Sequence, residues 1–276
     1  MQVLTCGRFR IELDRPRIMA VINVTPDSFS GDGLGCNHDA ALRRAEEAVA
    51  AGAHLLDIGG ESTRPGSEPV SEQEEMERVI PLVERLADWP VPVSVDTVKP
   101  EVMRAALAAG ASLINDINAF RAPGAIDAVR GTDAALCVMH MQGEPRNMQS
   151  APRYGDVVLE VRDFLDQQVD LMMNHGISRE RIVLDPGFGF GKTLEHNLEL
   201  MRGMDRFIAT GLPVLVGVSR KSMLGVITGR PASQRQAASI AAAIIAVARG
   251  ARIVRVHDVA QTRDALAVWE AVECPP

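Results

Sequence analysis

The sequence predicts a single domain, residues 1–276, folded as a (β/α)8 TIM-type barrel with a short N-terminal β-hairpin. Three observations carry the prediction. The length of 276 residues is close to the ~250 typical of such a barrel. Eight compact apolar runs alternate with eight longer amphipathic or Ala-rich stretches, the pattern of repeated βα units. Nearly every apolar run also ends in a polar side chain, as barrel strands do where their carboxyl ends open on a common pocket. A doubly wound open sheet meets the same alternation, but eight units favour closure.

In chain order, residues 2–13 form the hairpin, which could serve as a lid. Strands follow at 18–24, 54–58, 91–95, 112–117, 134–139, 182–184, 214–218 and 252–256. Helices fill the gaps at 39–51, 71–86, 100–109, 124–130, 154–175, 194–210, 233–249 and 260–272. Three of them end in a small turn, at 51–53, 109–111 and 249–251, where Gly52, Gly110 and Gly250 supply left-handed caps without a Cβ penalty. The stretch 237–248 is apolar nearly all round, so the barrel or a partner subunit must cover it. No Pro/Ser linker divides the chain.

Composition narrows the function classes. With 46% hydrophobic and 24% charged residues the chain is neither disordered nor fibrous. A net charge of −7 without long single-sign runs argues against nucleic-acid or anionic-membrane binding. Any anionic ligand must therefore meet a local basic cluster. Cys6, Cys36, Cys137 and Cys274 form no CxxC pair and no zinc spacing, which suits a reducing cytosol. No basic segment precedes an apolar core at the start, and no apolar run approaches ~18 residues. The expectation is a soluble cytoplasmic protein.

The strand ends carry Asn23, Asp57 with Glu61, Asp96, Asn115 with Asp116, His140, Asp185, the triplet Ser219, Arg220, Lys221, and His257 with Asp258. Any one of these reads as a helix cap or turn former. Eight together point to a pocket. Asp96, Asn115 and Asp185 offer acceptors and an amide suited to the edge of a polar heterocycle. Arg64, Lys221, Arg255 and His257 offer donors, and the arginine fork matches phosphate oxygens. A flat, nitrogen-rich ring bearing a phosphate group satisfies both halves. Arg255 with Asp258 reads equally as a structural pair, and His140 as a satisfied core histidine.

Residues 185–193, DPGFGFGKT, look like a nucleotide loop and fail the test. Pro186 holds the first glycine position of a Walker A loop and lacks the N–H that a phosphate cradle needs. The dinucleotide pattern would require glycine at Lys192. What remains is a mobile Gly-rich loop able to place Phe188 and Phe190 against a flat ligand.

The motifs NVTPDSFS (23–30), GGESTRPG (59–66), SVDT (94–97), NDI (115–117), MHMQ (139–142), DPGFGFGK (185–192), SRKS (219–222) and RVHD (255–258) closely resemble those of bacterial dihydropteroate synthases. One motif falls at each expected strand end, from residue 18 to residue 258. The resemblance implies a (β/α)8 barrel that joins 6-hydroxymethyl-7,8-dihydropterin diphosphate to 4-aminobenzoate, giving 7,8-dihydropteroate and pyrophosphate in folate synthesis. It assigns the chemistry to Asp96, Asp185, Lys221 and Arg255. It places the pterin on Asp96, Asn115, Asp185 and Lys221, with Ile117 and Met139 packing its faces. It places the diphosphate on Asn23, Thr63, Arg255, Val256 and His257, with Asn23 also holding Mg2+. The aminobenzoate pocket falls to Phe29, Thr63, Arg64, Pro65, Phe190, Lys221 and Ser222, which implies inhibition by sulfonamides. It further implies a homodimer, with 237–248 as an interface element, and dissociative loss of pyrophosphate.

One departure stands out: residues 30–33 read Ser-Gly-Asp-Gly where the family usually has Ser-Asp-Gly-Gly, so Asp32 is displaced by one place. Two other readings compete. A methyltransferase acting on methyltetrahydrofolate would need the pterin contacts but no diphosphate site. A silent pterin-binding paralogue would need neither Mg2+ nor turnover.

Overall fold

The computed structural model describes residues 2–24, 38–63 and 66–273. The hairpin forms as expected: β1 (Val3–Cys6) pairs antiparallel with β2 (Phe9–Glu12), Cys6 opposite Phe9. Eight parallel strands follow: β3 (Arg17–Asn23), β4 (Leu55–Gly59), β5 (Val93–Asp96), β6 (Leu113–Asp116), β7 (Ala135–Met139), β8 (Ile182–Asp185), β9 (Leu215–Val216) and β10 (Ile253–Val256). Their hydrogen-bonded order is β8-β7-β6-β5-β4-β3-β10-β9. A parallel bridge between Leu184 and Val214 joins the ends, closing the barrel rather than leaving an open sheet.

Ten α-helices lie among the described residues: α1 (His38–Ala50), α2 (Glu72–Leu86), α3 (Pro100–Ala108), α4 (Ala125–Val129), α5 (Val157–Asn174), α6 (Leu194–Arg202), α7 (Met204–Ile208), α8 (Ser222–Thr228), α9 (Gln236–Ala248) and α10 (Val259–Glu273). Their starts follow local chemistry. The Ser71 hydroxyl accepts from Glu74 N at 3.2 Å, Asp156 caps α5 through the amides of Val158 and Leu159, and Pro100 occupies the first turn of α3. Gly52, Gly110 and Gly250 take φ of 101°, 108° and 102°, the left-handed ends read from the sequence.

The helices depart from expectation in three places. The helix expected over 194–210 breaks at Gly203, where a Cβ would sit 2.8 Å from the Val158 side chain on α5, and α7 restarts at Met204. The helix expected from 233 starts at Gln236, behind a separate short α8 that no periodicity signalled. The helix expected from 154 starts at Val157, because the Asp156 side chain caps there.

Both faces of the sheet are apolar, as befits parallel strands with helices outside. Ile18, Ile22, Leu56, Leu136, Leu184 and Val254 face the helical layer. Inside, at the amino ends of the strands, Met19, Leu55, Leu113, Ala135, Leu215 and Ile253 pack with Leu4, Cys6, Ile11 and Leu13. The hairpin is therefore a plug in the floor, at the end opposite the strands' carboxyl termini. Fully burying such side chains contributes about 1.5–3 kcal/mol each. No helix among the described residues is long and apolar enough to cross a membrane.

Candidate active site

Asp57 on β4 occupies the centre of the carboxyl-end face and is fully buried. Three neighbours from three other strands donate to it. Ser94 Oγ on β5 lies 2.5 Å from Oδ1, Asn115 Nδ2 on β6 lies 3.4 Å from Oδ2, and Arg255 Nε on β10 lies 2.5 Å from Oδ2. Arg255 also reaches Asp96 on β5, Nη2 to Oδ2 at 3.0 Å. Its guanidinium thus spans two carboxylates, not Asp258, which is held instead by Arg220 at 2.7 Å.

Burial dominates the electrostatics here. It pushes Asp96 up to about 7 against the pull of Arg255. Burial also opposes the charge of Arg255, but Asp57 and Asp96 outweigh it and hold the guanidinium above its ordinary value. Asp185 at the end of β8 is raised by burial, with Lys221 and the Gly187 amide opposing. Lys221, just past β9, is lowered to about 8 by burial, with Asp185 opposing. The buried Oδ1 of Asn115 has no hydrogen-bond partner among the described residues. Such an acceptor costs about 1–3 kcal/mol until a donor arrives.

Beside these polar groups lies an apolar wall of Ile117, Met139, Met141 and Met148, edged by Val98 and Phe190. Lys221 Nζ sits 4.3 Å from the centre of the Phe190 ring and donates to the Phe188 carbonyl. A cleft of about 800 Å³ opens alongside, reaching Thr63, Asp96, Ile117 and Met141, a volume within the range of small-molecule sites.

The Gly-rich loop behaves differently from the mobile segment expected. Lys192 is buried and its Nζ donates to the carbonyls of Gly187 and Phe190, both at 2.9 Å, and to His140 Nδ1 at 3.0 Å. Burial drives Lys192 well below its ordinary value. It also brings His140 down to about 3, with Lys192 adding to the effect, so the ring is neutral and structural. Phe188, expected against a flat ligand, is instead fully buried in the outer core. At Gly187, with φ 70°, a Cβ would fall 1.9 Å from the His140 carbonyl oxygen. Only glycine lets the two loops close on each other.

The structure brings Asp96, Asn115, Asp185, Lys221, Arg255, Ile117, Met139 and Phe190 to one face. Asn23 ends β3 beside Gly59, its register partner on β4. His257 follows β10, and its Nδ1 meets Ser219 Oγ at 2.9 Å. Val256 packs its side chain in the outer core, so any contact it makes with an anion comes from its main chain. Ser222 opens α8 and is exposed. Phe29, Asp32, Arg64 and Pro65 lie outside the described residues. Asp57, with no assigned role at the sequence level beyond ending a strand, is the residue that organises the centre. Its signal was present, as the lone acid within the apolar run LLDIG.

Among the described residues no three His, Cys, Asp or Glu side chains cluster to hold a metal. Mg2+ that keeps waters and binds substrate phosphates needs only one or two protein oxygens, and the Asn23 amide oxygen, close to the Gly59 backbone, meets that lesser demand.

A family model described as pterin binding enzyme matches residues 19–257. The dihydropteroate synthase of Neisseria meningitidis serogroup C is 51% identical over 275 residues, 98% of this chain and 97% of that protein. The Burkholderia cenocepacia dihydropteroate synthase complexed with 7,8-dihydropteroate superposes with a TM-score of 0.91 at 55% identity, covering 98% of this chain and 96% of that one. The Xanthomonas albilineans dihydropteroate synthase with 4-aminobenzoic acid gives a TM-score of 0.94 at 49% identity over 99% of each chain. This chain, with its Asp57, Asp96 and Arg255 cluster at the barrel mouth, belongs to the pterin-binding enzymes and, within them, to the dihydropteroate synthases.

Proposed function

We propose that the chain condenses 6-hydroxymethyl-7,8-dihydropterin diphosphate with 4-aminobenzoate to give 7,8-dihydropteroate and pyrophosphate. The observation that carries this reading is the unpaired, buried Asn115 acceptor set among Asp96, Asp185 and Lys221. It is a polar slot beside an apolar wall, shaped for the edge and face of a nitrogen-rich ring. Neither rival, the methyltransferase nor the silent paralogue, gains an observation from the site.

In this reading Asp96, Asn115 and Asp185 accept from the pterin N–H groups and Lys221 donates to the ring, while Ile117 and Met139 cover one face. Arg255 and His257, with Asn23 and Thr63, face the diphosphate. The C–O bond to the leaving group breaks first, leaving positive charge delocalised from the exocyclic carbon into the pterin. Buried carboxylates near that carbon stabilise the cation, and the guanidinium stabilises the departing anion. The arylamine then forms the new C–N bond and releases one proton. Bound Mg2+ would neutralise charge on the diphosphate, held on the protein side by Asn23. Phe190, Lys221 and Ser222, with Thr63, Phe29, Arg64 and Pro65, make the aminobenzoate side, where sulfonamides compete.

The chain acts in the cytoplasm as a homodimer in this reading. Val226 and Ile227 on α8, Ile245 on α9, and Val268 and Val272 on α10 leave apolar side chains exposed, and a second copy would cover them. Sedimentation at micromolar concentration checks this, and a monomer would refute it.

The test of function is pyrophosphate release from the pterin diphosphate, with and without 4-aminobenzoate and Mg2+, alongside detection of dihydropteroate. Product requiring all three supports the synthase. Release without the arylamine supports the dissociative step. Tight pterin binding without either product sinks the reading. A sulfonamide should raise the apparent KM for 4-aminobenzoate and leave kcat unchanged.

A further inference from the structure

The turn between β9 and α8 delivers Lys221 and Ser222 to the site, and the residue before them is strained. Arg220 takes φ 59°, a left-handed conformation uncommon for a side chain of its size. Strain of this kind persists where the surroundings over-determine it. Here the bracing comes from three directions. The Arg220 amide donates to Ser239 Oγ on α9 at 2.9 Å. The Arg220 carbonyl accepts from Arg235 Nη1 at 3.0 Å. The Arg220 guanidinium forks onto Asp258, Nη2 to Oδ1 at 2.7 Å and Nε to Oδ2 at 3.3 Å.

Arg235 does more than hold one carbonyl. Nη1 also reaches the Lys221 carbonyl at 3.3 Å, and Nε donates to the Arg230 carbonyl at 2.8 Å. Its guanidinium lies against α8 at Gly225, where a Cβ would collide with it. One fork therefore gathers the main chain before, within and after the segment that presents Lys221 and Ser222. Asp258, on the other side, follows His257 directly and is held a second time by Gln236 Nε2 at 3.1 Å. His257 in turn meets Ser219 through both its amide and its ring.

We propose that Arg235 and Asp258 are positioning residues of the synthase reaction. They fix the Lys221–Ser222 turn, which serves the pterin and the aminobenzoate, against the Arg255–His257 turn, which serves the diphosphate. Neither touches a substrate; Arg235 acts through the main chain of Arg220 and Lys221, and Asp258 through the Arg220 guanidinium. The inference rests on the function proposed above.

The test uses Arg235→Lys, which keeps the charge and loses the fork, and Asp258→Asn, which keeps the shape and loses the ion pair. A misplacement of ~1 Å can cost ~100-fold in rate. We expect kcat to fall about 10- to 100-fold and KM for 4-aminobenzoate to rise, with Tm within a few degrees of the parent. Because both act on one turn, the double variant should lose less than the product of the single losses. Unchanged kinetics overturn the proposal, as does a fall in Tm with kcat and both KM values unmoved. Should Arg235→Lys fail to fold, Asp258→Asn decides alone. A crystal structure of the variant gives an independent readout, displacement of Lys221 supporting the proposal and an unmoved turn opposing it. A parent enzyme that makes no dihydropteroate would refute the function while leaving that structural comparison decisive.

Discussion

The two ends of the same strands differ sharply in chemistry. At the floor Leu55, Leu113 and Ile253 begin their strands in an apolar layer sealed by the hairpin. Two residues further along, Asp57, Asn115 and Arg255 share a hydrogen-bonded centre at the rim. Residues two apart on a strand point to the same face, so both sets face the barrel interior. The floor is sealed by hydrophobic burial, while the rim keeps its charged groups buried or half-buried and mutually paired. A barrel of short strands, two to seven residues long, can thus confine cost and function to one end and draw stability from the other.

The largest effect tests the rim. Arg255→Met gives it floor chemistry and leaves Asp57 and Asp96 without their cation. Breaking a buried pair in this way costs about 3–5 kcal/mol. Urea unfolding should show that loss, and kcat/KM for the pterin diphosphate should drop by at least ~100-fold. Stability equal to the parent would mean that the carboxylates do not need the guanidinium. Next comes the floor. Leu55→Ala should cost about 2–5 kcal/mol and leave kcat/KM within a few-fold, whereas a large kinetic loss would erase the distinction between the two ends.

A smaller effect comes from pH. Lys221 is held down to about 8 by burial, and its role as a donor needs the proton. Raising the pH therefore removes the active form, so kcat/KM for the pterin diphosphate should fall about tenfold per unit well above pH 8. A profile flat to pH 10 would remove Lys221 from pterin recognition. The smallest effect belongs to neither end. Ser71→Ala deletes the cap of α2 and should cost about 1 kcal/mol with unchanged kinetics.

Much of this architecture was legible because it rests on local periodicity. All eight barrel strands lie where apolar runs predicted them, with β9 reduced from 214–218 to Leu215–Val216. What escaped depends on distant partners. α8 has seven residues with Gly225 in the middle, and it is secured by Arg235 from outside the helix. The loop at 187–191 reads as mobile from its glycines, yet Lys192 pins it through main-chain carbonyls, which every residue has and no sequence pattern marks. Asp57 was visible as an acid but not as a centre, since its partners stand 37, 58 and 198 residues away. Helix 194–210 is interrupted at Gly203, where any Cβ would crowd Val158, a neighbour that only the folded chain supplies.

The closure between β8 and β9 has a consequence for how the barrel breathes. Everywhere else neighbouring strands share ladders, but here one bridge at Leu184 and Val214 completes the ring. Asp185 and Lys221 stand on opposite sides of that seam. A pterin gripped by both would act as a clasp across the least bonded line of the cylinder. Amide hydrogens of Leu215 and Val216 should then exchange with deuterium sooner than those of β4 in the free protein, and slow most when the ring binds.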